Sequence, residues 1–163
     1  MASRHHSRML VVFWVLMSCL TPAWAQSPTP LQVTASGAQT QTQEFSLAEL
    51  DAMEQVEFTT TTIWTDGAVT FSGVPLKVLL TAITAKGASV EMVALNDYKV
   101  VMPFTEMDDA APIVATRMDG ETMSVRDKGP YWVVFPYDAD PKYQTETIYS
   151  YSIWQLNRLK VVD

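Results

Sequence analysis

Seven side chains carry the chemistry this chain can offer: Trp64, Asn96, Asp97, Tyr98, Arg117, Arg126 and Lys128. The three cations draw notice because the chain is acidic, with 11 Lys and Arg against 18 Asp and Glu and a net charge of −7. A phosphate or carboxylate ligand would need such groups, and arginine can bind either in bidentate fashion. The neighbouring Asp119, Glu121 and Asp127 can equally take them up as surface ion pairs of little energetic worth, so two readings stand. Trp64 can stack on a flat ligand or cap a core as a loop aromatic. Asn96-Asp97-Tyr98 brings an amide, a carboxylate and a phenol to one turn, where they can orient a polar ligand or simply form the turn. Asp66 can offer oxygen to a metal, although Asp-Gly is the ordinary chemistry of a turn.

What the sequence lacks narrows the field further. Its one cysteine, Cys19, and both histidines, His5 and His6, fall within the first 25 residues. Beyond them no thiolate nucleophile, imidazole base or serine–histidine–acid triad can be assembled, and no thiolate or imidazole is left to ligate a metal. Asp108 and Asp109 are sequence neighbours that would not face each other on a helix, so they do not form an acid–base pair. No spacing argues for catalysis.

The first 25 residues have the order of a cleavable export signal. Arg4 and Arg8 are followed by the apolar run Met9–Leu20, interrupted by Ser18, and by Ala23-Trp24-Ala25 before Gln26. That run is well short of the roughly 20 residues that span a bilayer. Cleavage near Ala25 predicts a periplasmic or secreted protein with no transmembrane segment in the mature chain. Leu16-Met17-Ser18-Cys19 loosely matches a lipoprotein box and gives the alternative, lipidation at Cys19. The acidic balance speaks against nucleic acid as a partner. Without a second cysteine no intramolecular disulfide can form, so packing must supply the stability.

The elements follow from periodicity and turn chemistry. Residues 26–42 read as a linker merging into an edge strand through Leu31-Gln32-Val33-Thr34, and one domain is expected over 43–163. Ser46 and Glu49 have capping-box spacing and predict a helix from Leu47 to about Glu54. Val56–Ile63 and Ala68–Phe71 read as strands around the Asp66-Gly67 turn. Pro75 suits the first position of a helix whose buried stripe is Leu76, Leu79, Leu80 and Ile83, with Gly87 ending it. Val90–Leu95 and Tyr98–Met102 form a hairpin by pattern, joined through Asn96-Asp97. A helical turn over Phe104–Asp109 precedes a strand at Ile113–Thr116 and a turn at Met118–Glu121. Tyr131–Phe135 is apolar throughout and reads as a strand buried on both faces. The tail ends in a strand, with Ile153, Leu156, Leu159 and Val161 as core candidates. Many strands with two or three short helices make the class α+β.

Taken in order, the segments Phe45–Leu50, Phe71–Leu80, Ala94–Pro103, Ala115–Pro136 and Ile153–Val162 resemble the molybdopterin-binding domain of the sulfite oxidase family, in a short exported form. The resemblance implies that family's fold, a mixed β-sheet with a few short helices. Members of the family hold molybdenum through a pterin dithiolene and one cysteine, assisted by arginines and a histidine. The stretch matching the cysteine is Ile63-Trp64-Thr65-Asp66, which has no sulfur. The expectation is therefore a domain without cofactor or metal catalysis, serving as a ligand-binding or protein-interaction module. Its expected partners are a small anionic or pterin-like ligand, or a membrane or receptor protein of the envelope. The alternative is a molybdenum–pterin oxidoreductase acting on sulfite- or sulfoxide-like substrates. There the metal would be held by the pterin sulfurs alone, by a hydroxyl or by Asp66.

Overall fold

The computed structural model describes residues 28–35, 40–83 and 86–163. The segment read as an export signal, with its expected cleavage site and Cys19, lies outside these residues. Among the described residues, ten strands and three short α-helices follow in the order β1 (Leu31–Ala35), β2 (Gln41–Phe45), α1 (Leu47–Asp51), β3 (Val56–Thr61), β4 (Ala68–Pro75), α2 (Leu76–Ala82), β5 (Ser89–Ala94), β6 (Lys99–Pro103), β7 (Ile113–Met118), β8 (Glu121–Thr122), β9 (Trp132–Val134), α3 (Glu146–Tyr151) and β10 (Leu156–Val162). This is an α+β chain dominated by its sheets. Among the described residues, no helix is long and apolar enough to cross a membrane.

One sheet runs β2-β1-β10-β5-β6, with β1 and β10 parallel and the other pairs antiparallel. The second runs β3-β4-β7-β8, and β9 joins it through β7. Alternation along the strands divides the apolar side chains between two clusters. Val74, Val114 and Val133 face the main core, together with Leu31, Val90, Met92, Leu159 and the α2 residues Leu76, Leu79 and Leu80. Their neighbours Phe71, Ile113, Ala115, Trp132 and Val134 point the other way, into a smaller cluster. Around β7 and β9 the second sheet is thus buried on both faces, and β9 is buried at every residue, as its unbroken apolar run implies.

Several boundaries differ from those read in the sequence. β1 is an inner strand rather than an edge, because Leu31 and Val33 pack into the core and β10 pairs alongside them. The edge role passes to β2, whose Gln41–Glu44 are exposed and whose polar side chains guard an unpaired rim. The packed part of the chain therefore starts at β1, ahead of residue 43. Pro75 does not open α2; it closes β4 and caps the helix, and Leu76 is the first helical residue. Proline fits a strand end because it has no N–H to leave unpaired. α1 stops at Asp51, earlier than Glu54, with its capping box formed: Ser46 N–H donates to Glu49 Oε2 at 2.8 Å and Glu49 N–H to Ser46 Oγ at 3.3 Å. α2 ends at Ala82, before Gly87. Phe104–Glu106 is a 3-10 turn, shorter than the Phe104–Asp109 turn expected.

The Gly-Val-Pro-Leu segment has a steric cause. β4 and β7 change register between Ser72 and Gly73, and a Cβ on Gly73 would sit 2.1 Å from the Val114 carbonyl oxygen and 2.7 Å from Ala115 Cα. Both contacts are backbone and cannot swing aside. Gly67, by contrast, has a positive φ of 70° and open space around it. Gly73→Ala is expected to cost about 3 kcal/mol or more. Gly67→Ala should cost only about 1 kcal/mol, from backbone strain alone. Urea denaturation of the two variants checks this order, and equal midpoints would contradict it.

Candidate functional site

A cavity of about 340 Å³ opens where three loops meet. The first wall is the loop after β3. Thr62 Oγ1 accepts from the Trp64 N–H at 3.0 Å and lies 2.8 Å from the Thr65 hydroxyl, closing a tight turn that ends at left-handed Gly67. The second is the β5–β6 hairpin tip, where Asn96 Oδ1 accepts from the Tyr98 N–H at 3.1 Å. Asp97 there adopts φ 63°, a conformation Asp tolerates better than most residues. The third is α3 and the segment after it, Ser152–Gln155. Thr145 caps α3, and Ser152 is pinned by Tyr137 Oη at 2.5 Å and by the Ile148 carbonyl at 3.1 Å. Burial pushes the Tyr137 phenol up to about 12, against the pull of its bond to Ser152, so it stays protonated.

Trp64 organises the cavity. Its half-buried ring packs against both apolar clusters and stands edge to face with four others. The centroids lie 5.8 Å from Trp154, 5.9 Å from Tyr149, 6.0 Å from Trp132 and 6.3 Å from Tyr137. These are favourable offsets for aromatic quadrupoles. Tyr98 and Trp154 remain 58% and 38% exposed, so the mouth is apolar and open. Beneath it, Trp132 Nε1 is buried with no hydrogen-bond partner among the described residues.

Of the residues singled out in the sequence, Trp64, Asn96 and Tyr98 line this cavity together. Asp97 shares their turn, but its carboxylate receives Arg158 Nη2 at 2.6 Å. The three cations lie off the lining. Lys128 projects its ammonium to 5.6 Å from the Trp132 ring centroid, and its carbonyl accepts the Gln155 N–H at 2.9 Å. Arg126 is exposed on a 3-10 turn. Arg117 is held elsewhere, gripping Asp51 through both guanidinium nitrogens at 2.5 and 2.8 Å and so tying α1 to β7. Asp66 is exposed on its loop. Asp108 serves as a local brace: it accepts from Tyr143 Oη at 2.6 Å and from the N–H groups of Ala110 and Ala111. Tyr149, Trp154 and Gln155 also line the cavity; Tyr149 and Trp154 read from the sequence as core or rim aromatics, and Gln155 was not singled out. The density of aromatics in Tyr149–Trp154 was the available signal.

The lining residues are Trp, Tyr, Asn, Gln, Ser, Ala and Ile; carboxylate, ammonium and guanidinium groups are all missing from them. Among the described residues, no three acidic, cysteine or histidine side chains gather closely enough to hold a metal ion. The arrangement can stack, enclose and hydrogen-bond a ligand. It offers no nucleophile paired with a base.

No family model and no curated protein matches the sequence. The fold does have a solved counterpart. The crystal structure of the sulfane dehydrogenase SoxCD from Paracoccus pantotrophus superposes with a TM-score of 0.62 at 18% identity. The match covers 83% of this chain and 38% of that one, so this chain spans well under half the length of its counterpart. At that identity the likeness is one of fold.

The Asp51–Arg117 pair yields a pH prediction. The hydrogen bond from Arg117 holds the Asp51 carboxyl below its ordinary value near 3.8, outweighing the opposing effect of burial. A depressed carboxyl contributes stability that is complete above the unfolded value and lost as pH falls through the folded one. Asp51→Asn should therefore cost about 1 kcal/mol at neutral pH, a modest figure because the pair is one-third exposed. The gap between variant and wild type should close below about pH 4. Denaturation midpoints measured from pH 7 to pH 2 check it, and a gap that persists at the acid end would contradict the assignment.

Proposed function

We propose that this chain is a sulfite-oxidase-type domain that binds a small ligand in the aromatic cavity and has no molybdenum catalysis. The observation that carries the reading is the identity and packing of the residue at position 64. Sequence resemblance places the family's metal-ligating cysteine within Ile63-Trp64-Thr65-Asp66. That stretch holds an indole wedged among Trp132, Tyr137, Tyr149 and Trp154. The fold likeness to a sulfane dehydrogenase supports descent from a redox scaffold.

The residues present do not fit a molybdenum–pterin group. The described residues contain no thiolate, and the hydroxyl and carboxylate oxygens near the loop are harder donors than the metal's usual sulfur. Thr62 and Thr65 spend their hydroxyls on each other, and Asp66 lies exposed on the loop. The pterin's phosphate would also need cations, and none lines the cavity. Arg117, one of the three cations singled out in the sequence, already has a bidentate carboxylate partner. An anionic ligand is disfavoured on the same ground.

Export through the N-terminal signal belongs to the same proposal and rests on Arg4, Arg8, the apolar run and Ala23-Trp24-Ala25. In that setting the domain would capture a solute or present its occupied state to an envelope partner. The test is elemental analysis of the full chain purified from a host that makes molybdenum cofactor. The expected result is molybdenum far below one atom per chain, and near-stoichiometric molybdenum would overturn the proposal.

A further inference from the structure

We infer that the cavity takes a compact organic cation of quaternary-ammonium chemistry, held against the faces of its aromatic rings. The inference rests on the ligand-binding reading above and specifies its ligand class. Four aromatic residues, Trp64, Tyr98, Tyr149 and Trp154, line the space. Trp64 is steeply inclined to two of the others, meeting Tyr149 at 86° and Trp154 at 64°. Walls set at such angles cannot all stack on one flat plate. A rounded group can touch several ring faces at once, and each face presents the negative side of its quadrupole to a positive charge.

Three further observations select charge as well as shape. The lining residues carry no cation to repel the ligand, and Arg158 of β10, which reaches the hairpin tip, is paired with Asp97 at 2.6 Å. Lys128 Nζ stands 5.6 Å from the centroid of Trp132, a buried ring outside the lining; it shows that this cluster attracts an ammonium and is also a like charge that the ligand must tolerate. The acidic chain, at net −7, attracts cations rather than anions overall. The volume, about 340 Å³, is at the small end of ligand cavities and suits a headgroup with a short tail. Gln155 orients that tail. Its Nε2 is committed to the Val125 carbonyl at 2.8 Å, which leaves Oε1 as an acceptor for a ligand hydroxyl.

The test compares choline with its uncharged carbon isostere, 3,3-dimethylbutan-1-ol, by calorimetric titration and tryptophan emission of the full chain. Choline should bind about tenfold more tightly than the isostere or better, the margin expected of cation–π contacts in a partly desolvated site. Trp154→Ala should abolish most of that margin, and Tyr98→Ala, at an exposed hairpin tip, repeats the test if the first variant fails to fold. Equal binding of the two compounds would overturn the cation assignment while leaving a ligand-binding cavity. Absence of saturable binding by both would overturn it too, and molybdenum in the same preparation would then bring down the underlying reading as well.

Discussion

An indole wedged between two apolar clusters is the constraint on which the site depends. The second sheet has hydrophobic residues on both faces, so each face needs a cover. The main core is covered by the first sheet and α2. The smaller cluster is closed in part by Trp64, which reaches across to the main core as well. That single contact fixes the loop after β3, because a ring held by four aromatic neighbours cannot drift without exposing all of them. The hydroxyl pair Thr62–Thr65 and the left-handed Gly67 then give the backbone the tight path that the ring's position demands.

The same wedge determines what the cavity can do. A packed indole contributes faces and edges rather than a lone pair for a metal, and its neighbours add amides and hydroxyls. Recognition by such walls depends on desolvation and quadrupoles, which discriminate by shape and charge without reacting. On the proposed reading, the redox scaffold has kept its architecture and exchanged a coordination site for an aromatic enclosure. Function then rests on the side chains of three loops, while the sheets that carry them follow the fold shared with a sulfane dehydrogenase.

Much of the fold was legible because its signals are local. The Ser46–Glu49 capping box, the Leu76–Leu79–Leu80 stripe, the Asn96-Asp97 hairpin and the Asp119-Gly120 turn each need only a few neighbouring residues to be recognised. The errors arise where distant pairing decides. β1 reads as an edge until its parallel partner β10, at the other end of the chain, is in place. β2 is too polar to announce itself as a strand. The site divides in the same way. Trp64, Asn96 and Tyr98 could be picked out singly, but Tyr149 and Trp154 are indistinguishable from core aromatics until α3 folds back onto the hairpin. Ion pairing was one of the two readings open to Arg117, but its partner is Asp51, 66 residues away, rather than a neighbouring carboxylate that a local pattern offers.

The most direct measurement is of the indole N–H resonances in a nitrogen-15 spectrum as tetramethylammonium is added to the full chain. The account requires the Trp64 and Trp154 signals to move together and saturate, with the backbone amides of Asn96 and Tyr98 following the same curve. Shifts confined to amides beside exposed carboxylates, with both indoles unmoved, would mean that the cation meets only surface charge and that the aromatic enclosure is packing without a ligand.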